Sequence, residues 1–115
     1  MPHPIVHWEI GSKDAKKAQE FYSKLFDWQF DTGMPDYAML AAQGDGIGGG
    51  IMQTPAEAPP YVTFYVSVED LAATLARAEG LGATTIVPPT PIPGTGAFAM
   101  FADPEGHMIG IFKTG

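Results

Sequence analysis

An internal duplication spans this chain and constrains its architecture before any single residue does. Val6-His7-Trp8-Glu9-Ile10 runs into a helix-like stretch opening at Asp14, and Val62-Thr63-Phe64-Tyr65-Val66 runs, at the same separation, into a second opening at Asp70. Tyr37-Ala38-Met39-Leu40 is echoed by Phe98-Ala99-Met100-Phe101, and Gly50-Ile51-Met52 by Gly110-Ile111-Phe112. Neither half can cover its own apolar face, so each is expected to bury that face against the other, with function where they meet. With 115 residues, 45% of them hydrophobic, the chain suits one domain, 1–115, holding repeat modules of about 1–54 and 60–115.

Within each half the residue periods predict β-α-β-β-β. Ile5 to Ile10 alternates Val6, Trp8 and Ile10 on a helix-facing side with Ile5, His7 and Glu9 on the other. A helix is expected from about Asp14 to Phe26, capped by Ser12, with Ala15, Ala18, Tyr22, Leu25 and Phe26 on its apolar face. Trp28 to Phe30, Tyr37 to Ala41 and Ile47 to Gln53 read as strands, the first two joined by a Gly33-Met34-Pro35-Asp36 turn. In the second half Tyr61 to Val66 is a strand, with Val62, Phe64 and Val66 toward the helix. Ser67 with Asp70 forms a capping-box pattern ahead of Leu71, Leu75, Ala78 and Leu81, and Gly80 and Gly82 end that helix. Thr84 to Val87 is β-branched, and the proline-rich Pro88 to Gly96 reads as an irregular loop, a connector or alternatively a lid. Ala97 to Ala102 and Met108 to Phe112 form a hairpin turned by Asp103-Pro104-Glu105-Gly106.

Composition removes several function classes. A net charge of -7 leaves no basic footprint for nucleic acid or an anionic membrane, so the expected partner is a small molecule. The absence of cysteine excludes disulfides, thiolate metal sites and a thiol nucleophile. No apolar run is long enough to span a bilayer and the first residues lack signal-peptide regions, so the expected location is the cytoplasm. Gly44-Asp45-Gly46-Ile47-Gly48-Gly49 matches a dinucleotide-binding glycine pattern, but a short strand closed by proline follows it where phosphate binding needs a helix N-terminus.

The duplicated unit, with His7 on the first strand and Asp103-Pro104-Glu105-Gly106 entering the last, resembles the vicinal oxygen chelate superfamily of glyoxalase I, the bleomycin and fosfomycin resistance proteins and the extradiol dioxygenases. The resemblance runs through His7-Trp8-Glu9-Ile10, Ala18 to Trp28, Gly48 to Met52, Pro91-Ile92-Pro93-Gly94 and Phe101 to Gly106, and is strongest to a glyoxalase-like, lactoylglutathione-lyase-related branch. It implies an α+β fold of two tandem βαβββ modules forming curved mixed sheets around a cleft, and homodimerisation.

Metal-dependent members hold a divalent ion through His, Glu or Gln side chains from strands of both halves, leaving open positions for a substrate's oxygens. Here the matching positions are His7, Thr63, Gly50 and Gly110, so only His7 keeps a side chain of that type. Glu9 lies two residues along the same strand, about 7 Å from His7, too far to complete a chelate with it. The expectation is therefore no metal and no cofactor. The expected ligand-binding residues are His7, Glu9, Tyr61, Thr63 and Tyr65, while Met39, Met52, Met100 and Met108 read either as core packing or as the lining of an apolar pocket. Gly50 and Gly110 read either as room for a bulky ligand or as close strand packing. The leading reading is a binding protein for a small, partly apolar molecule in the cleft. The alternatives are a glyoxalase-like lyase, isomerase or dioxygenase with a non-standard metal site, and a non-catalytic interaction subunit.

Overall fold

Strand and helix alternate as the two residue periods require. The computed structural model describes residues 2–114. Its elements are β1 (Ile5–Ser12), α1 (Ala15–Phe26), β2 (Asp31–Met34), β3 (Tyr37–Leu40), β4 (Gly49–Gln53), β5 (Tyr61–Ser67), α2 (Leu71–Gly80), β6 (Thr84–Ile92), β7 (Gly96–Ala102) and β8 (Met108–Thr114). This is β-α-β-β-β twice, an α+β fold of two modules.

Two compact units result, one of residues 7–63 and the other of the chain up to Val6 and from Phe64 onward. In the first the strand order is β2-β3-β4-β1, with β1 and β4 parallel and the other pairs antiparallel. Its core joins Ala15, Ala38 and Ile51 to Ile10, Ala18, Tyr22 and Phe30, so α1 lies on the sheet side that Ile10 faces. In the second unit the order is β5-β8-β7-β6, again with its one parallel pair at β5 and β8. There Leu71 and Leu75 of α2 pack with Val68, Ala99 and Ile111, and with Val66, Ala97 and Phe101.

Both helices are capped by aspartate, not by the serines. The Asp14 carboxylate accepts from the Lys17 amide at 3.1 Å and that of Asp70 from the Ala73 amide at 3.0 Å, filling donors the first helical turn leaves orphaned. Ser12 and Ser67 are instead the last strand residues, paired with Gln53 and Phe112, so their backbone is committed to the ladders.

Three other expectations change. Residues 28–30 are not a strand: Trp28 packs against Trp8, Tyr22 and Phe26, and β2 begins only at Asp31. The aromatics there are packing wedges, and with Trp28 and Phe30 filling the sheet side, Leu25 and Phe26 stay more than half exposed. Pro88 to Gly96 is not an irregular loop either, since β6 runs through Pro88, Pro89 and Pro91 to Ile92 and turns back at Gly94, whose φ is +76°. The prolines are tolerated because β6 is an edge strand pairing only with β7, with its register shifting between Thr85 and Thr90. Val62, finally, is exposed; the core over α2 begins with Val66.

The cap assignment predicts that Asp14→Ala and Asp70→Ala each lower unfolding free energy by about 1 kcal/mol. Ser12→Ala and Ser67→Ala should stay within about 0.5 kcal/mol of the parent in urea titrations.

Candidate functional site

On β1 the side opposite α1 carries His7, Glu9 and Gly11. The ladder sets Glu9 beside Gly50 on β4, and Gly50 beside Met39 on β3, while Tyr37 pairs with Met52. These residues share one sheet face.

Glu9 is the centre of that face. It is only 5% exposed, a burial that a carboxylate tolerates only when its oxygens are hydrogen-bonded. Two tyrosines supply the bonds. The Tyr37 hydroxyl donates to Oε1 at 3.0 Å and the Tyr61 hydroxyl to Oε2 at 2.6 Å. Because the Tyr37 proton goes to Glu9, its oxygen accepts from His7 Nε2, 2.8 Å away, which selects the neutral imidazole tautomer protonated at Nε2.

Glycine makes this geometry possible. A Cβ at Gly50 would overlap the Tyr37 ring, and one at Gly11 would overlap the Tyr61 ring. Each ring therefore lies against bare backbone, one on either side of Glu9, and both hydroxyls reach the carboxylate. Gly50 is thus a socket for a tyrosine of this chain and not room for a ligand, and the same holds at Gly110, where the Tyr65 ring occupies the space.

Electrostatics follow from burial. Desolvation pulls the His7 imidazole below its ordinary value near 6.5, partly opposed by the Glu9 charge. Tyr61 is pushed well above the usual phenol range by burial first, then by its hydrogen bond to Glu9 and by the Glu9 charge. Both groups are therefore neutral at pH 7.

Of the residues singled out from the sequence, His7, Glu9 and Tyr61 come together. Thr63 is buried in the same unit. Tyr65 belongs to the other unit, where it pairs with Gly110, meets Phe98 edge-on at 6.2 Å and directs its hydroxyl toward Met100 Sδ at 4.0 Å. Tyr37 was missed in the sequence. Its signal was a hydroxyl-bearing aromatic on the strand beside a glycine, at the position repeated as Phe98. Met39 and Met52 are on the Glu9 face and more than a third exposed, whereas Met100 is buried. His3 and His107 are exposed, and His107 closes the Asp103 turn through Nδ1, 2.9 Å from the aspartate.

The residues do not fit the superfamily's divalent metal. At Gly50 and Gly110, which the resemblance matches to ligand positions, tyrosine rings fill the side-chain space, and the imidazole of His7, at a third such position, lies 2.8 Å from the Tyr37 hydroxyl. Among the described residues no group of three or more His, Asp or Glu could hold a metal ion. An open groove of about 640 Å³ along α1, beside β2 and β3, includes Tyr37 in its lining, and Lys16, Lys24, Glu20 and Asp36 there give it no dominant charge.

Two outcomes test this geometry. Gly50→Ala must displace the Tyr37 ring and should cost about 1–3 kcal/mol in urea unfolding, with Tyr61→Phe costing a similar amount through the donor lost to a buried carboxylate. Because the folded-state pKa of His7 lies below its unfolded value, the unfolded chain binds the proton first as pH drops. The corresponding stability is complete above about pH 6.5 and is lost as pH falls through the folded value, so His7→Gln should flatten the acid side of a melting-temperature profile.

Comparison with known proteins agrees with the fold. A Mycobacterium bovis protein named "Putative glyoxylase CFP32" is 37% identical over 79 residues, 68% of this chain and 30% of that protein. The anthracycline biosynthesis protein DnrV of Streptomyces peucetius is 27% identical over 132 aligned positions, 99% of this chain and 48% of that protein. The chain thus spans between about a third and a half of the curated relatives it matches. The Mn(II)-bound glyoxalase from Novosphingobium aromaticivorans superposes with a TM-score of 0.67 at 16% identity, over 97% of this chain and 40% of that one, a likeness of fold. Residues 4–111 match the family model described as the Glyoxalase/Bleomycin resistance protein/Dioxygenase superfamily. The chain belongs to that superfamily.

Proposed function

We propose that this protein binds a small, partly apolar molecule on the face of residues 7–63 opposite α1, without the divalent metal used by other members. The observation that carries this reading is the Glu9 cluster, where a buried carboxylate, two tyrosines and a neutral histidine form a fixed polar patch beside the exposed thioethers of Met39 and Met52. Fixed polar groups next to adaptable apolar surface are the usual composition of a small-molecule site. The filled glycine sockets support metal independence, because a ligand set cannot be restored there without expelling a ring. Family membership supports small-molecule chemistry in general but selects none of it, since one fold hosts many activities.

A second reading rests on the His7–Tyr37–Glu9 chain. Hydrogen bonds connect an imidazole to a carboxylate through one hydroxyl, an arrangement that can move a proton, and so a lyase or isomerase using His7 as acid or base is the enzymatic alternative.

The test is a thermal-shift series with neutral two-ring aromatic alcohols, in the presence and absence of EDTA, alongside elemental analysis of protein purified without chelator. The expected result is a ligand-dependent rise in melting temperature that EDTA leaves unchanged and that Met39→Asp or Met52→Asp abolishes. A stoichiometric metal that disappears in His7→Ala would overturn the reading, as would the absence of any shift.

A further inference from the structure

The Glu9 cluster has a polarity. Each tyrosine has one hydroxyl proton, and both protons are spent on the buried carboxylate, Tyr37 on Oε1 and Tyr61 on Oε2. What each phenol presents away from Glu9 is therefore its lone pairs. At Tyr37 those accept from His7. At Tyr61, which is half-buried and lies across Gly11, the oxygen can accept from a bound molecule but has no second proton to give.

Charge placement points the same way. The basic residues of positions 7–63 are Lys13, Lys16, Lys17 and Lys24, and each lies on α1 or at its entrance. On the opposite face the ladder places Glu9, Tyr37, Met39 and Met52, and the Glu9 carboxylate is the charged group among these four. Tyrosine ring faces and thioether sulfurs are favourable surroundings for a cation with an apolar body. An anion would meet acceptor oxygens and a like charge in a poorly solvated setting.

We infer that this face selects protonated organic amines with an aromatic or aliphatic body, the ammonium donating to Tyr61 Oη near the Glu9 carboxylate, and that it excludes carboxylates and phosphates. The inference rests on the binding reading above and names its ligand class. Glu9 acts as a positioning residue, orienting both phenols as donors to itself and thereby making them acceptors toward the ligand. Tyr61 supplies the contact.

Three probes of one shape test it: 2-naphthylmethylamine, 2-naphthylmethanol and 2-naphthoate, measured by calorimetry at pH 7 on the full chain. The expected order is amine, then alcohol, then carboxylate, with the amine at least about tenfold tighter than the carboxylate. Glu9→Gln should bring amine and carboxylate to within about threefold, because the charge is gone and the amide can reverse one phenol. Tyr61→Phe keeps the ring over Gly11 and should weaken amine and alcohol while leaving the carboxylate unchanged. Circular dichroism checks that each variant is folded; if Glu9→Gln fails to fold, the wild-type order and Tyr61→Phe decide the matter. A carboxylate bound as tightly as the amine overturns the inference and leaves the binding reading standing. Binding of none of the three overturns the binding reading itself.

Discussion

The burial of the Glu9 carboxylate is the constraint on which the site of residues 7–63 depends. Moving an ionised carboxyl out of water costs several kcal/mol even after relaxation, and charge-assisted hydrogen bonds return about 1.5–3 kcal/mol each. Two tyrosine hydroxyls meet that cost, one per oxygen. Their rings can reach only because Gly11 and Gly50 offer no Cβ on either side of Glu9. The arrangement fixes the His7 tautomer, keeps Tyr61 neutral and turns two potential donors into acceptors, so an ion, two glycines and two phenols act as one element.

The second unit shows the same device with different chemistry. Tyr65 is paired with Gly110 as Glu9 is with Gly50, and Phe98 stands where the first unit has Tyr37. There the ring lies in the glycine socket, meets the phenylalanine edge-on and points its hydroxyl at a methionine sulfur. A polar lock and an aromatic lock thus occupy repeat-related positions. In both, a tyrosine ring occupies the space that a side chain at the glycine would need.

Much of this was legible in the residues. The duplication gave the β-α-β-β-β order, and the alternation on β1 correctly put Ile10 toward α1 with His7 and Glu9 opposite. Where the reading failed, a competing physical demand prevailed. Ser12 and Ser67 have the right chemistry for caps, but strand pairing holds their backbone and the neighbouring aspartates cap instead. Trp28 and Phe30 have strand propensity, but packing against α1 uses them. The prolines of β6 argue against a strand only when the strand needs both its edges, and β6 needs one.

The sequence by itself determined the doubled architecture, the net negative charge and the glycines at positions 50 and 110, because periodicity, charge and residue identity are properties of the chain alone. Only the tertiary structure decided what fills the space beside those glycines. Tyr37 lies 28 residues from Glu9 and Tyr61 lies 52 residues away, and no local pattern connects them. The strand register aligns Gly50 with Glu9 and places Tyr37 on the adjacent strand, and that alignment, a matter of long-range pairing, turns an apparent vacancy into an occupied socket.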